Sequence, residues 1–154
     1  SAYNWVIQQY PKEVKEQRNR VSAKNDNNAI LLVHVDADNR TVNDRARQLA
    51  EVLQTAGAAI RQLSERIAIC VPKRNVETWI HGLCDVPVDE SYDFKKDEQN
   101  RIATNQRKRS EICGQRVRPA AECLYDLTRN NAPPAPESMP SLIAALSELR
   151  RLEP

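Results

Sequence analysis

The sequence is poor in glycine and in aromatic residues. Its 154 residues include three glycines, one phenylalanine and one methionine, and aromatics make up 5%. Three scattered glycines cannot build a glycine-rich phosphate loop. With only Tyr92 and Phe94 near the basic stretch described below, recognition of single strands by base stacking is not signalled either. No apolar run reaches the roughly 18 residues a membrane span needs. The start carries no basic segment followed by an apolar block, so no secretory signal is read. Cys70, Cys84, Cys113 and Cys123 form no C-x-x-C pair, which argues against a zinc knuckle and for reduced thiols in a cytoplasmic protein. No Ser-His-Asp or Cys-His order is legible. With 23 Lys and Arg against 21 Asp and Glu, the net charge is +2. Local runs must therefore carry any argument about partners.

The length suits one compact domain, residues 1–154. Residues 1–24 read as helical, with Pro11 suited to the first turn of a second helical piece and Tyr10, Val14 and Val21 roughly along one face. "AILLVHVDAD" is a near-continuous apolar run bounded by turn residues. It predicts a buried strand of a parallel sheet covered on both faces. "TVNDRARQLAEVLQTAG" predicts a helix: Thr41 caps it, Asp44 completes a capping box, Ala46, Leu49, Ala50 and Leu53 form its apolar stripe, and Gly57 stops it. "RIAICVP" is a second buried strand. "NVETWIHGLC" is a short helix capped by Asn75, with Val76, Trp79, Ile80 and Leu83 inward. Residues 29–85 thus form a βαβα core, and the fold class is α/β: an open, mainly parallel sheet with helices on both faces. Residues 86–118 read as a charged loop region. Residues 119–154 read as C-terminal helices joined by the proline-rich connector "APPAPESMP".

The first strand runs into Asp36 and Asp38. Ligands of an open parallel sheet sit at the carboxyl ends of its strands. If both aspartates stay extended, they share a face with Cα atoms about 6.5 Å apart. Two such carboxylates repel, and a hard divalent cation, Mg2+ or Mn2+, relieves the repulsion. The plainer alternative is that they only end a strand and lead into the next helix. A calcium loop is excluded, because Arg40 and Thr41 stand where it needs aspartate and glycine. The haloacid-dehalogenase phosphatases also place D-x-D after a strand, but here Thr41 comes one position late. His34 reads as a hydrogen-bonded core histidine, and neither it nor His81 is given a catalytic role.

"VHVDAD", then a helix, then "RIAICVPKRNVETWI" resembles the Toprim fold of topoisomerases, primases and overcoming-lysogenization-defect nucleases. It is most similar to the small Toprim-like families of bacterial defence and mobile-element loci. The resemblance spans residues 29–96, about half the chain. It implies metal-dependent phosphodiester chemistry on nucleic acid, with DNA the expected polymer. Asp36 and Asp38 would be Mg2+ or Mn2+ ligands. Glu77 would complete or orient the site, although a first-turn acid favoured by the helix dipole explains it equally well. Either Lys95 or Lys96 would stabilise phosphate charge. The glutamate that precedes the first helix in Toprim enzymes has no counterpart here. Either the chain is a fragment whose first strand lies upstream, or it is a catalytically incomplete binding or assembly module of a larger protein. A metal-dependent phosphatase is the third reading.

Arg101, Arg107, Lys108, Arg109, Arg116 and Arg118 follow the lysines. Guanidinium and ammonium groups in such a run can meet successive phosphates with salt-dependent affinity. A solvated charged loop is the competing account.

Overall fold

The computed structural model describes residues 2–76, 78–79, 89–91 and 137–153. The chain divides into two compact units, Ser1–Val71 with Ala144–Pro154, and Pro72–Ile143. Among the described residues the architecture is mixed α/β, with three helices and a two-stranded parallel sheet. That is a smaller sheet than the open one the sequence predicts.

In the first unit, α1 spans Ala2–Ala23 as one helix with Pro11 inside it. The expected break at Pro11 does not occur. Proline removes one helical hydrogen bond, but Tyr10 and Val14 on either side of it are buried in the core, and that packing holds the helix continuous. Two strands follow, β1 (Leu31–His34) and β2 (Ile67–Cys70), paired in parallel with Leu31 opposite Ile67 and His34 opposite Cys70. The ladder runs one residue further, where Val35 N–H donates to the Cys70 carbonyl at 3.2 Å. Burial pushes the Cys70 thiol up to about 11, so it stays protonated and unreactive.

Between the strands lies α2 (Val42–Thr55), whose ends follow from local chemistry. Thr41 is the N-cap, and Asp44 completes the capping box by accepting from the Thr41 backbone. Gly57 has φ +73, and its N–H donates to Gln54 O while Ala58 N–H donates to Leu53 O, both at 2.9 Å. This left-handed stop occupies carbonyls that the helix end would otherwise leave open. The expected stripe is corrected at one position. Ala46 is exposed, and the buried residues of α2 are Arg45, Leu49 and Leu53.

The core of this unit gathers Tyr10 and Val14 of α1, Val33, Val35 and Ala37, Leu49 and Leu53 of α2, and Ile67 and Val71. Odd-numbered residues of β1 and its extension therefore face the core. The even face is not covered as expected: Leu32 is 57% exposed. The outer edge of β2 is closed by side chains of α3 (Pro140–Arg150) and its extension. Ile69 N–H donates to Glu148 Oε2 at 3.2 Å, and Ile67 O accepts from Arg151 at 2.7 Å and from Arg61 at 3.1 Å. Glu148 is ion-paired to Arg61 at 2.8 Å and to Arg151 at 3.3 Å. Polar cover of this kind occupies an edge that would otherwise invite another strand.

In the second unit, the Thr78 backbone N–H donates to Asn75 O and the Thr78 hydroxyl to Asn75 Oδ1, both at 3.2 Å. Trp79 is buried, as expected, and its indole N–H donates to Ser141 Oγ at 2.8 Å. The buried Glu90 carboxylate accepts from Ser141 N–H at 3.1 Å, from Ser141 Oγ at 2.7 Å and from Leu142 N–H at 3.3 Å. It thereby satisfies the open donors at the start of α3.

Candidate functional site

The D-x-D segment follows β1 at its carboxyl end, as the sequence predicts, but the two aspartates do not share an extended strand. Asp38 has φ +55, a left-handed conformation that Asp tolerates better than most residues. Arg40 N–H closes the turn onto Ala37 O at 3.0 Å. The alternation that would have stacked both carboxylates on one face therefore ends before Asp38. Asp36 keeps it: its side chain is 32% exposed and faces away from the core that holds Val35 and Ala37. Asp38 is more open, at 61%.

Arg45 organises this loop, and nothing in the sequence reading pointed to it. Its side chain is buried. Nε donates to Asp36 O at 3.0 Å, Nη2 to Ala37 O at 3.2 Å and Nη1 to Gln48 Oε1 at 2.9 Å. The guanidinium lies over the Tyr3 ring, 3.8 Å from its centroid, and Gln48 Nε2 donates to the Tyr3 hydroxyl. Nη2 also stands 4.0 Å from Asp38 Oδ2. A planar, always charged fork can hold two carbonyls and a ring face at once, which an ammonium cannot. The available signal was an arginine at the i−4 position from Leu49 on a core-facing stripe. A charge placed there is retained only when it is well paired.

His34 departs from expectation. Its side chain is 42% exposed, and Nε2 lies 3.6 Å from Asp36 Oδ1. It stands on the open face of β1 beside the aspartate. At the other end of the loop, the Thr41 hydroxyl bonded to Asp44 holds that carboxyl below its usual range.

Glu77, Lys95, Lys96, Arg101, Arg107, Lys108, Arg109, Arg116 and Arg118 lie outside the described residues, as do Ile80, His81 and Leu83. Among the described residues, no group of three or more His, Cys, Asp or Glu stands together as a metal cluster. Asp36 and Asp38 offer the hard oxygen donors that Mg2+ prefers. That ion is commonly held by one or two carboxylates, with water filling its other positions. The donor chemistry fits a water-rich Mg2+ or Mn2+ site, and the Arg45 charge near Asp38 opposes it.

No family model, curated protein or solved structure matches this chain.

Among the described residues, no helix is long and apolar enough to cross a membrane.

Proposed function

We propose that this chain is a Toprim-like domain that holds Mg2+ or Mn2+ through Asp36 and Asp38 and hydrolyses phosphodiester bonds of nucleic acid, most simply DNA, in a bacterial defence or mobile-element setting. A wider, mainly parallel sheet with helices on both faces belongs to this proposal. The observation that carries it is the aspartate-bearing loop at the carboxyl end of a parallel strand, its carbonyls at Asp36 and Ala37 tied by buried Arg45. Ligand sites of parallel α/β units are built at that end, and a loop fixed before binding loses little entropy on taking a ligand.

When bound, the ion supplies Lewis-acid neutralisation of charge on the phosphate. The chain's own contribution is to hold two carboxylates in place. Asp36 is fixed through its backbone carbonyl, and Asp38 through the turn that Arg40 closes. Glu77 as a further acid, Lys95 or Lys96 as a phosphate partner, and the Arg101–Arg118 basic run as a track for the polymer backbone are proposed from sequence. So are a cytoplasmic location and a larger protein or defence-system partner.

A second reading rests on one distance. With Arg45 Nη2 4.0 Å from Asp38 Oδ2, a built-in cation already compensates part of the loop's negative charge. That favours a non-catalytic binding or assembly module.

Plasmid and linear DNA incubated with Mg2+ or Mn2+ separate the readings when the wild type is compared with Asp36→Ala/Asp38→Ala. Metal-dependent cutting that disappears in the double variant is the expected result. DNA binding without cutting, unchanged by the substitutions, would replace the nuclease with the module. Turnover of a small phosphomonoester alone would replace it with a phosphatase.

A further inference from the structure

We propose that the solvent face of α1 is a docking surface for single-stranded nucleic acid, on which Trp5 stacks against an unpaired base and Lys12 and Lys15 meet phosphates of the same strand. The proposal rests on the reading above for the class of polymer, and it requires no metal at Asp36 and Asp38.

α1 turns Tyr10, Val14 and Gln17 into the unit, and all three are buried. On the opposite side Trp5, Lys12 and Asn19 follow one another at seven-residue steps, close to two helical turns each, with Gln8 and Lys15 beside them. Each of these five residues is exposed. Trp5 is 64% exposed, whereas tryptophan is highly buried on average. Its indole stands in water on a long helix, among amides and lysines.

The charge on this face is uncommitted. Lys12 and Lys15 make no ion pair among the described residues. Glu16, on the same face, is held by Arg20 and Lys24, each at 3.6 Å. Beside the lysines an open cleft of about 540 Å³ lies between α1 and the turn after α2. Lys12, Lys15, Arg18 and Asn19 form one wall, and Ala56, Gly57 and Ala58 the other. Arg18 is engaged by Glu65, so the two lysines supply the free charge. No carboxylate lines the cleft, and Glu13 flanks the lysines outside it.

Two free cations and an aromatic platform along one track suit a polymer that has both an anionic backbone and flat faces. A duplex hides its base faces, so stacking on the indole selects a single strand. A membrane surface would need an apolar stripe to insert. Trp5 is bordered on this side by Asn4, Gln8 and Gln9, while Val6 and Ile7 pack against the core.

The test titrates the full 154-residue chain into a fluorescein-labelled oligothymidylate, in EDTA so that no metal contributes, and follows fluorescence anisotropy. The expected result is salt-dependent binding. In Lys12→Gln/Lys15→Gln the slope of log affinity against log salt should shrink by about 1.4, two phosphate contacts at about 0.7 each. Trp5→Ala should weaken binding about fivefold or more, and Trp5→Phe, which keeps a ring, by less. Binding should also quench the exposed part of the tryptophan fluorescence, and that quench should vanish in Trp5→Phe. Far-UV circular dichroism reports that each variant is folded, and the substituted side chains are exposed. No binding, the same affinity and slope in all variants, or tighter binding of the matching duplex would overturn the proposal. So would binding to anionic phospholipid vesicles without binding to the oligonucleotide. Mg2+-dependent DNA cutting is scored separately. Binding lost in the α1 variants, with no cutting by the wild type, supports this inference while removing the nuclease reading; cutting without oligonucleotide binding in EDTA does the reverse.

Discussion

Arg45 donates from Nε to the backbone carbonyl of Asp36, nine residues earlier, at 3.0 Å. A charge on the core side of α2 thus sets the backbone of the loop on which the candidate chemistry depends. Arg45→Met should lower stability by about 3 kcal/mol, because buried carbonyls at Asp36 and Ala37 lose charge-assisted donors. Arg45→Lys should recover only part of that, since an ammonium cannot reproduce the fork. Urea denaturation of both variants measures the order. Equal stability of Arg45→Met and wild type would mean the guanidinium does not hold the loop.

Arg18 and Glu65 link α1 to the segment before β2 with bonds of 2.6 and 3.1 Å. The Arg18 hydrogen bond holds the Glu65 carboxyl below its ordinary value of 4.5. A carboxyl whose value is depressed by folding stabilises the native state above its unfolded value, and loses that contribution as pH falls through the folded value. Glu65→Gln should therefore be less stable than wild type at neutral pH, with a narrower gap at about pH 3, below the ordinary value, as the carboxyl begins to protonate. Denaturation curves at the two pH values test this; a gap that widens in acid would contradict it.

Glu148 gathers Arg61, Arg151 and the Ile69 N–H on the outer edge of β2. Glu148→Ala leaves two guanidiniums facing each other and an edge donor open. The expected loss is about 3 kcal/mol, as when one partner of a partly buried pair is removed. Concentration-dependent self-association through the uncovered strand edge should accompany it. Chemical denaturation and sedimentation velocity read the two effects.

Ser141 receives the Trp79 indole N–H and donates its hydroxyl to Glu90. Ser141→Ala removes both bonds and should cost about 1–2 kcal/mol. Glu90→Ala should cost more, because backbone donors of Ser141 and Leu142 lose a charged acceptor. Trp79 is buried and Trp5 is 64% exposed, so the blue-shifted part of the fluorescence reports the first change. An unaltered spectrum in a destabilised Ser141→Ala variant would place Trp79 outside this network.

Much of the βαβ unit was legible because local chemistry dictates it. Thr41 and Asp44 write the start of α2, Gly57 its end, and the apolar runs around Val33 and Ile67 the two strands. What was not legible depends on partners distant in sequence. Pro11 breaks a helix by propensity, yet Tyr10 and Val14 beside it find a core. Arg45 resembles a surface charge until the loop carbonyls and Tyr3 are brought to it. Glu90 meets Ser141 across 51 residues. The aspartates were correctly placed at the strand's carboxyl end, but the left-handed turn at Asp38 changes how they meet. No propensity for an aspartate dictates that turn; the loop closure by Arg40 and the anchoring by Arg45 accompany it.

The central claim is that the Asp36–Asp38 loop binds a divalent ion. Isothermal calorimetry with Mg2+ and with Mn2+, on wild type and on Asp36→Asn/Asp38→Asn, tests it most directly. The account predicts saturable binding of at least one of the two ions by the wild type, abolished in the double variant while its amide spectrum remains that of a folded chain. No binding by the wild type, or the same isotherm in both proteins, would contradict it.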